Sequence, residues 1–155
     1  MNMKNIKHII DHAEQHCAKH GARLTRKRKQ VLSGLLTSTK ALSAYELIGV
    51  CKEECGETLP VMSIYRILDF LVDENLAHKL DLANKYIACE HISCSHPHVV
   101  SQFLICRHCS KVREISVNRS VIDDFQASAQ SAGFPQISSQ LELSCICEEC
   151  LNESG

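Results

Sequence analysis

Four of the ten cysteines fall in two Cys-x-x-Cys pairs, Cys106/Cys109 in "FLICRHCSKVREI" and Cys147/Cys150 in "CICEEC". Two intervening residues let both sulfurs of a pair reach one metal ion from a tight turn, and two such turns complete a tetrahedron. A shell closed by four thiolates leaves no open position for water or substrate. The chemistry it offers is therefore structural, a zinc that staples a fold. A second set of donors is more mixed. The segment "AHKLDLANKYIAC" alternates as a hairpin with a two-residue turn at Ala83–Asn84, pairing 82 with 85, 80 with 87 and 78 with 89. That register sets His78 opposite Cys89, with Cβ atoms about 5 Å apart. His96 and His98, in "SHPH", follow on a loop that can fold back, and Glu114 lies on the strand leaving the first knuckle. A His–Cys pair with a further His and a Glu makes an N/S/O set that suits zinc. The plainer reading is a half-buried His and Cys in a sheet.

Other donors have other readings. His8, His12, His16 and His20 form an i, i+4 ladder opposite the apolar face of a first helix, and read as a solvated polar stripe. Cys51 and Cys55 share that spacing and read as helix packing or surface thiols. Cys145 is expected to face the core and His108 the solvent. Cys94, in the histidine loop, can substitute for a histidine ligand.

The elements that must carry these residues follow from periodicity. Ile6, Ile9, Ile10, Ala13 and Cys17 repeat at helical spacing before Gly21. Thr25 caps a second helix with Val31, Leu32, Leu35 and Leu36 inward. Its first turn holds Arg26, Lys27, Arg28 and Lys29, the wrong sign for a helix N-terminus, as though an external phosphate supplied the negative charge. Ser43 and Glu46 form a capping box for a third helix. A fourth, "VMSIYRILDFLVDENL", turns Ile64, Ile67, Leu68 and Leu71 inward and leaves Tyr65 and Arg66 off that face. Helices followed by a hairpin describe a winged helix-turn-helix. Beyond it, strands around the first knuckle, a helix with Val121, Phe125 and Ala129 one turn apart, and the strand "QISSQLELSCI" describe a small second domain.

Composition agrees with this division. The apolar fraction of 45% supports a core, and 5% aromatics with no Trp make it aliphatic. Residues 1–83 carry 12 Lys+Arg against 10 Asp+Glu, and residues 84–155 carry 5 against 8. The net charge of −1 thus hides a mildly basic first half, which by itself reads first as a solvated charged face and only weakly as a polyanion-binding one. "MNMKNIKHII" lacks the apolar stretch of a signal peptide, and no apolar run approaches membrane-spanning length. A cytoplasmic protein is expected, where ten cysteines favour metal or redox chemistry over disulfides.

The ordered set "RLTRKR", "SAYEL", "SIYRILDFLVDENLAHKL", "YIAC", "FLICRHCSKVREI" and "CICEEC" resembles the ferric-uptake-regulator family, most of all its zinc-responsive branch. The likeness spans nearly the whole chain. It departs where the family's "TPQR" is "TRKR" and its "TVYR" is "SIYR". The resemblance implies a cytoplasmic, homodimeric, zinc-responsive repressor of zinc-uptake genes. It implies that Cys106, Cys109, Cys147 and Cys150 hold a structural zinc. His78, Cys89, a loop histidine (His98, with His96 as the alternative) and Glu114 then hold a regulatory one, giving two zinc ions per monomer. Tyr45 and Arg66 match DNA-contacting residues. Arg66 is expected to read guanine, Ser63 and the Arg26–Lys29 run to hold phosphates, and Tyr65, with Arg26 and Lys27, to belong to the DNA-binding surface.

The expected fold is α+β: a winged helix-turn-helix over 1–83, then a small α/β dimerisation and metal-binding domain over 84–155. Partners are double-stranded operator DNA and a second copy of the chain, with no membrane, no small-molecule substrate and no enzymatic activity. The rival within the family is a sensor of iron, manganese or peroxide, disfavoured by the Cys89 thiolate. Rivals outside it are a zinc-stapled thiol enzyme and a protein-interaction module. Against the enzyme stand the closed knuckles and the lack of a Gly-rich phosphate loop or nucleophile elbow.

Overall fold

In the computed structural model, residues 3–92, 101–138 and 140–155 are described. The chain divides into two units, Met1–Cys94 and Ser95–Gly155.

The first unit is built on helical periodicity. Helices α1 (Met3–Lys19), α2 (Arg26–Leu36), α3 (Ala44–Cys55) and α4 (Val61–Asp73) precede strands β1 (Ala77–Leu80) and β2 (Lys85–Ala88). Their starts and stops follow side-chain chemistry. Thr25 Oγ1 accepts from the Arg28 N–H at the head of α2. At α3 the Ser43–Glu46 box is complete, with Ser43 Oγ accepting from Glu46 N–H at 3.1 Å and Glu46 Oε2 from Ser43 N–H at 2.7 Å. Gly56, at φ 69°, ends α3 in the left-handed region that a residue without Cβ adopts at no steric cost. The inward faces expected from sequence meet in one core: Ala13 and Cys17 from α1, Val31, Leu32 and Leu35 from α2, Leu47 and Cys51 from α3, Ile64, Leu68 and Leu71 from α4. Cys51 is a packing residue there, and burial pushes its thiol up to about 11. The wing closes on this core through Ala77, Tyr86 and Ala88. Paired hydrogen bonds between Leu42 and Tyr86 (2.9 and 2.8 Å) tie the segment before α3 to β2.

The hairpin register differs from expectation. His78 pairs with Ile87 and Leu80 with Lys85, and the Cys89 N–H donates to the Leu76 carbonyl at 3.0 Å. A two-residue I′ turn needs positive φ at both central residues. Asn84 adopts it (φ 49°) but Ala83 does not, so the connection lengthens to residues 81–84. The shift is by two positions, an even number. His78 and Cys89 therefore keep a common face of the wing, as diagonal rather than direct neighbours. The boundary expected at 83/84 falls inside this hairpin. Pairing with β1 and the burial of Tyr86 and Ala88 hold β2 in the first unit.

The second unit is a three-stranded sheet in the order β4-β3-β5, made of β3 (Ser101–Cys106), β4 (Val112–Ser116) and β5 (Leu141–Cys145), with helices α5 (Arg119–Ser131) and α6 (Glu148–Glu153). Strand β3 runs antiparallel to β4 and parallel to β5, the latter reached through α5. β5 begins at Leu141, later than the alternation from Gln136 suggested, and its first N–H donates to the buried Gln102 Oε1 at 2.8 Å. Cys145 is half-buried, not in the core, and its thiol points at the Leu143 carbonyl. No residue of α5 is buried.

Candidate metal centres and nucleic-acid interface

The parallel pairing of β3 with β5 sets Cys106 beside Cys145, so both chains leave the same end of the sheet. Each then turns through a Cys-x-x-Cys. In the first knuckle Ser110, at φ 63°, reverses the chain, and the Cys106 N–H bonds the Lys111 carbonyl at 2.8 Å. In the second, Cys147 caps α6, which carries Cys150. The result brings Cys106, Cys109, Cys147 and Cys150 together, with their sulfurs all within 4.8 Å of one another.

The geometry fits zinc. A tetrahedron of ~2.3 Å metal–thiolate bonds has sulfur–sulfur edges of about 3.8 Å, and Cys109 Sγ lies 3.7 Å from Cys147 Sγ. The electrostatics fit as well. Backbone N–H groups of Cys109 and Cys147 aim at Cys106 and hold its thiol down at about 5, a thiolate at neutral pH. Contact with the Cys147 sulfur, then burial, pushes Cys150 up to about 12. Four crowded sulfurs cannot all ionise without a cation among them. The two knuckles are also clamped from outside, where Lys111 Nζ meets Glu149 Oε1 at 2.8 Å. His108 is exposed, as expected.

The wing pair is different. A ring nitrogen of His78 and the Cys89 sulfur lie within 4.8 Å, with His78 half-buried and Cys89 buried. Two ligands make half a tetrahedral site. Glu114, in the second unit, sits on β4 opposite Phe103 and is only 6% exposed. Cys94, His96 and His98 lie outside the described residues.

In the first unit, α3 and α4 form the helix-turn-helix. Along α4, Met62 and Arg66 are exposed and Ser63 half-buried, while Tyr65 packs against the core. Tyr45, at the head of α3, is 69% exposed. The basic first turn of α2 is not waiting for phosphate alone. Arg26 pairs with Glu57 at 3.0 Å and Lys29 with Glu14 at 2.8 Å. Arg28 lies 3.6 Å over the Phe70 ring and donates to the Arg23 carbonyl. Lys27 stays exposed. These partners come from other segments, and no local signal announces them.

A winged helix joined in one chain to a closed four-sulfur knuckle defines a metal-binding protein of DNA-binding architecture. Residues 19–144 match the ferric uptake regulator family. The zinc uptake regulation protein of Escherichia coli (strain K12) is 30% identical over 151 residues, which cover 97% of this chain and 86% of that protein. A zinc uptake regulator solved in complex with zinc and DNA superposes with a TM-score of 0.80 at 28% identity, covering 96% of this chain and 97% of that one. The structure of holo XcZur gives 0.75 at 32% identity, covering 95% and 99%. The chain belongs to the ferric uptake regulator family. Among the described residues, no helix is long and apolar enough to cross a membrane.

Proposed function

We propose that this protein is a zinc-responsive transcriptional repressor whose zinc-loaded homodimer binds operator DNA and silences zinc-uptake genes. The observation that carries the reading is the His78–Cys89 pair on one face of the wing. A thiolate there selects zinc over manganese or magnesium, and two ligands on the DNA-binding unit need two more from elsewhere. Glu114 and His98, or His96 in its place, supply them in this reading. The Cys106–Cys109–Cys147–Cys150 site keeps a separate structural zinc, for two ions per monomer.

A zinc ion at this site would supply a divalent charge shared by the four regulatory ligands. His78 and Cys89 would hold it from the wing, and Glu114 and the loop histidine from the second unit. An arrangement that separates the units keeps only two of its four bonds. Moving a population from 1:99 to 99:1 needs about 5.5 kcal/mol of preference, which the loss of two zinc ligands can provide. The gated output is the spacing of two recognition helices in a dimer. Support for the dimer comes from the second unit, where Val121 and Phe125 on α5, Leu143 on β5 and Leu151 on α6 are exposed apolar residues. Exposed large apolar residues of this kind are what a partner surface would cover. Family membership, with its transcription regulators, favours this reading over a thiol enzyme.

On DNA, Arg66 reads a base edge from the exposed N-terminal half of α4, and Tyr45, Ser63 and Lys27 hold the backbone. Arg26 and Tyr65, tied to Glu57 and the core, border that surface. The test is operator binding against free zinc. Zinc is expected to support binding where manganese and iron do not. Arg66→Ala should cost about 1–3 kcal/mol on operator and narrow the gap to random DNA. Lys27→Ala should weaken both alike and lower the salt slope by about one. Binding that ignored zinc, or an unchanged gap in Arg66→Ala, would overturn the reading.

A further inference from the structure

The histidine ladder of α1 does not end as a solvated stripe. His16 Nε2 lies 2.9 Å from the Glu74 carbonyl oxygen, and His20 Nδ1 lies 3.2 Å from Glu74 Oε2. Ligand atoms of His16, His20 and Glu74 all fall within 4.8 Å of one another. The geometry points to a divalent transition-metal site at His16, His20 and Glu74, which ties the end of α1 to the end of the recognition helix α4. All three residues lie in the first unit, so the site does not depend on the wing pair or on the regulatory reading.

Three features make this more than a cluster of polar side chains. A carbonyl oxygen only accepts, so His16 Nε2 carries its proton and Nδ1 is left with the lone pair. A backbone carbonyl bonded to one ring nitrogen fixes the tautomer of metal-bound histidines in the same way. The 3.2 Å between His20 Nδ1 and Glu74 Oε2 matches the ligand spacing around an ion with bonds of about 2.0–2.2 Å. The position is also electrostatically prepared. Lys19 ends α1, His20 follows it, and Glu74 is the C-cap of α4, so two helix C-termini converge. Each carries partial negative charge, which favours a cation between them. Arg28, which with Glu74 acts on the nearby Cys17, is engaged with Phe70 and the Arg23 carbonyl.

Two imidazoles and a carboxylate select zinc, cobalt or nickel over magnesium or calcium. Three protein ligands leave a fourth position for water, so affinity falls below that of the four-ligand sites. The ion is a third one, taken up when the two others are filled. The other half of the ladder serves as a control. His8 and His12 stack on each other, with ring centroids 4.6 Å apart, and no carboxylate is grouped with them among the described residues.

The experiment is cobalt(II) titration of the full-length, zinc-loaded and desalted protein. Wild type should take up one additional equivalent. His20→Ala and Glu74→Gln should each weaken that uptake at least tenfold, while His8→Ala/His12→Ala leaves it intact. The structural site and the wing pair both contain cysteine, whereas this site has none. The difference spectrum between wild type and His20→Ala should therefore show ligand-field bands without thiolate-to-cobalt charge transfer. His20 is largely exposed, so its variant should keep wild-type circular dichroism and retained zinc. No additional equivalent in wild type would overturn the proposal. So would an equivalent that survives both substitutions, or a charge-transfer band in the difference spectrum. Failure of zinc-dependent DNA binding would touch none of these readouts.

Discussion

The two units of this chain are held together by different forces. The first buries side chains from four helices and a wing in a continuous aliphatic cluster. The second buries Phe103, Val112, Cys106 and Cys150 among its described residues, with the polar Gln102 and Glu114, and leaves α5 without a buried residue. A unit of that size with so little apolar burial does not fold on hydrocarbon alone. In the reading proposed above, its cohesion would come from a metal at the four-sulfur site and from a partner across α5, which has no buried residue. On the proposed reading, the difference would let one metal do two jobs in one chain. Zinc held by the four sulfurs of the second unit would be part of its fold. At the wing, His78 and Cys89 stand on a unit that is already folded, so a metal there can leave without taking the structure with it.

The largest expected effect comes from breaking the second unit. Cys150→Ser should abolish the structural zinc, the dimer and the cooperative unfolding of residues 95–155, while the helical signal of the first unit persists. Sedimentation and circular dichroism on the same sample check this. Next is Leu68→Ala, which opens the first core at a fully buried position. It should cost about 2–5 kcal/mol in denaturant unfolding of the first unit and leave zinc content unchanged. A loss of zinc in this variant would merge the two units energetically and break the contrast.

The smallest effect concerns a cap. The Ser43 N–H, and then Lys85 at 3.2 Å, hold the Glu46 carboxyl below the usual glutamate range. A lowered folded value stabilises above the unfolded value and is lost as pH falls through the folded one. Glu46→Gln keeps an acceptor for the capping box but no charge. Because the side chain is about half exposed, wild type should exceed it by under about 1 kcal/mol at neutral pH. The gap should close on acidification below the ordinary glutamate range. Urea unfolding at two pH values reads this directly, and the effect should appear only in the first unit.

Much of this contrast was legible in sequence because its causes are local. Helix faces, the Ser43–Glu46 box and the Cys-x-x-Cys spacings each depend on residues a few positions apart. Their outcomes matched: Ile64, Leu68 and Leu71 are buried, and the four sulfurs converge. What was not legible depends on distant segments or on one dihedral. The hairpin register turned on Ala83 declining positive φ. Glu57 and Glu14 pair with Arg26 and Lys29, and the Phe70 ring packs under Arg28, in a basic turn that looked built for phosphate. Glu74 is 58 residues from His16, so nothing in the ladder itself foretold a carboxylate beside it.

The claim that a folded wing carries the sensing ligands is tested most directly by Cys89→Ser. Zinc retained per monomer after desalting should be measured together with operator binding. Two ions are expected to fall to one, with both units folded and zinc-dependent DNA binding lost. A variant that still bound operator in a zinc-dependent way would contradict the assignment of the wing as the sensor.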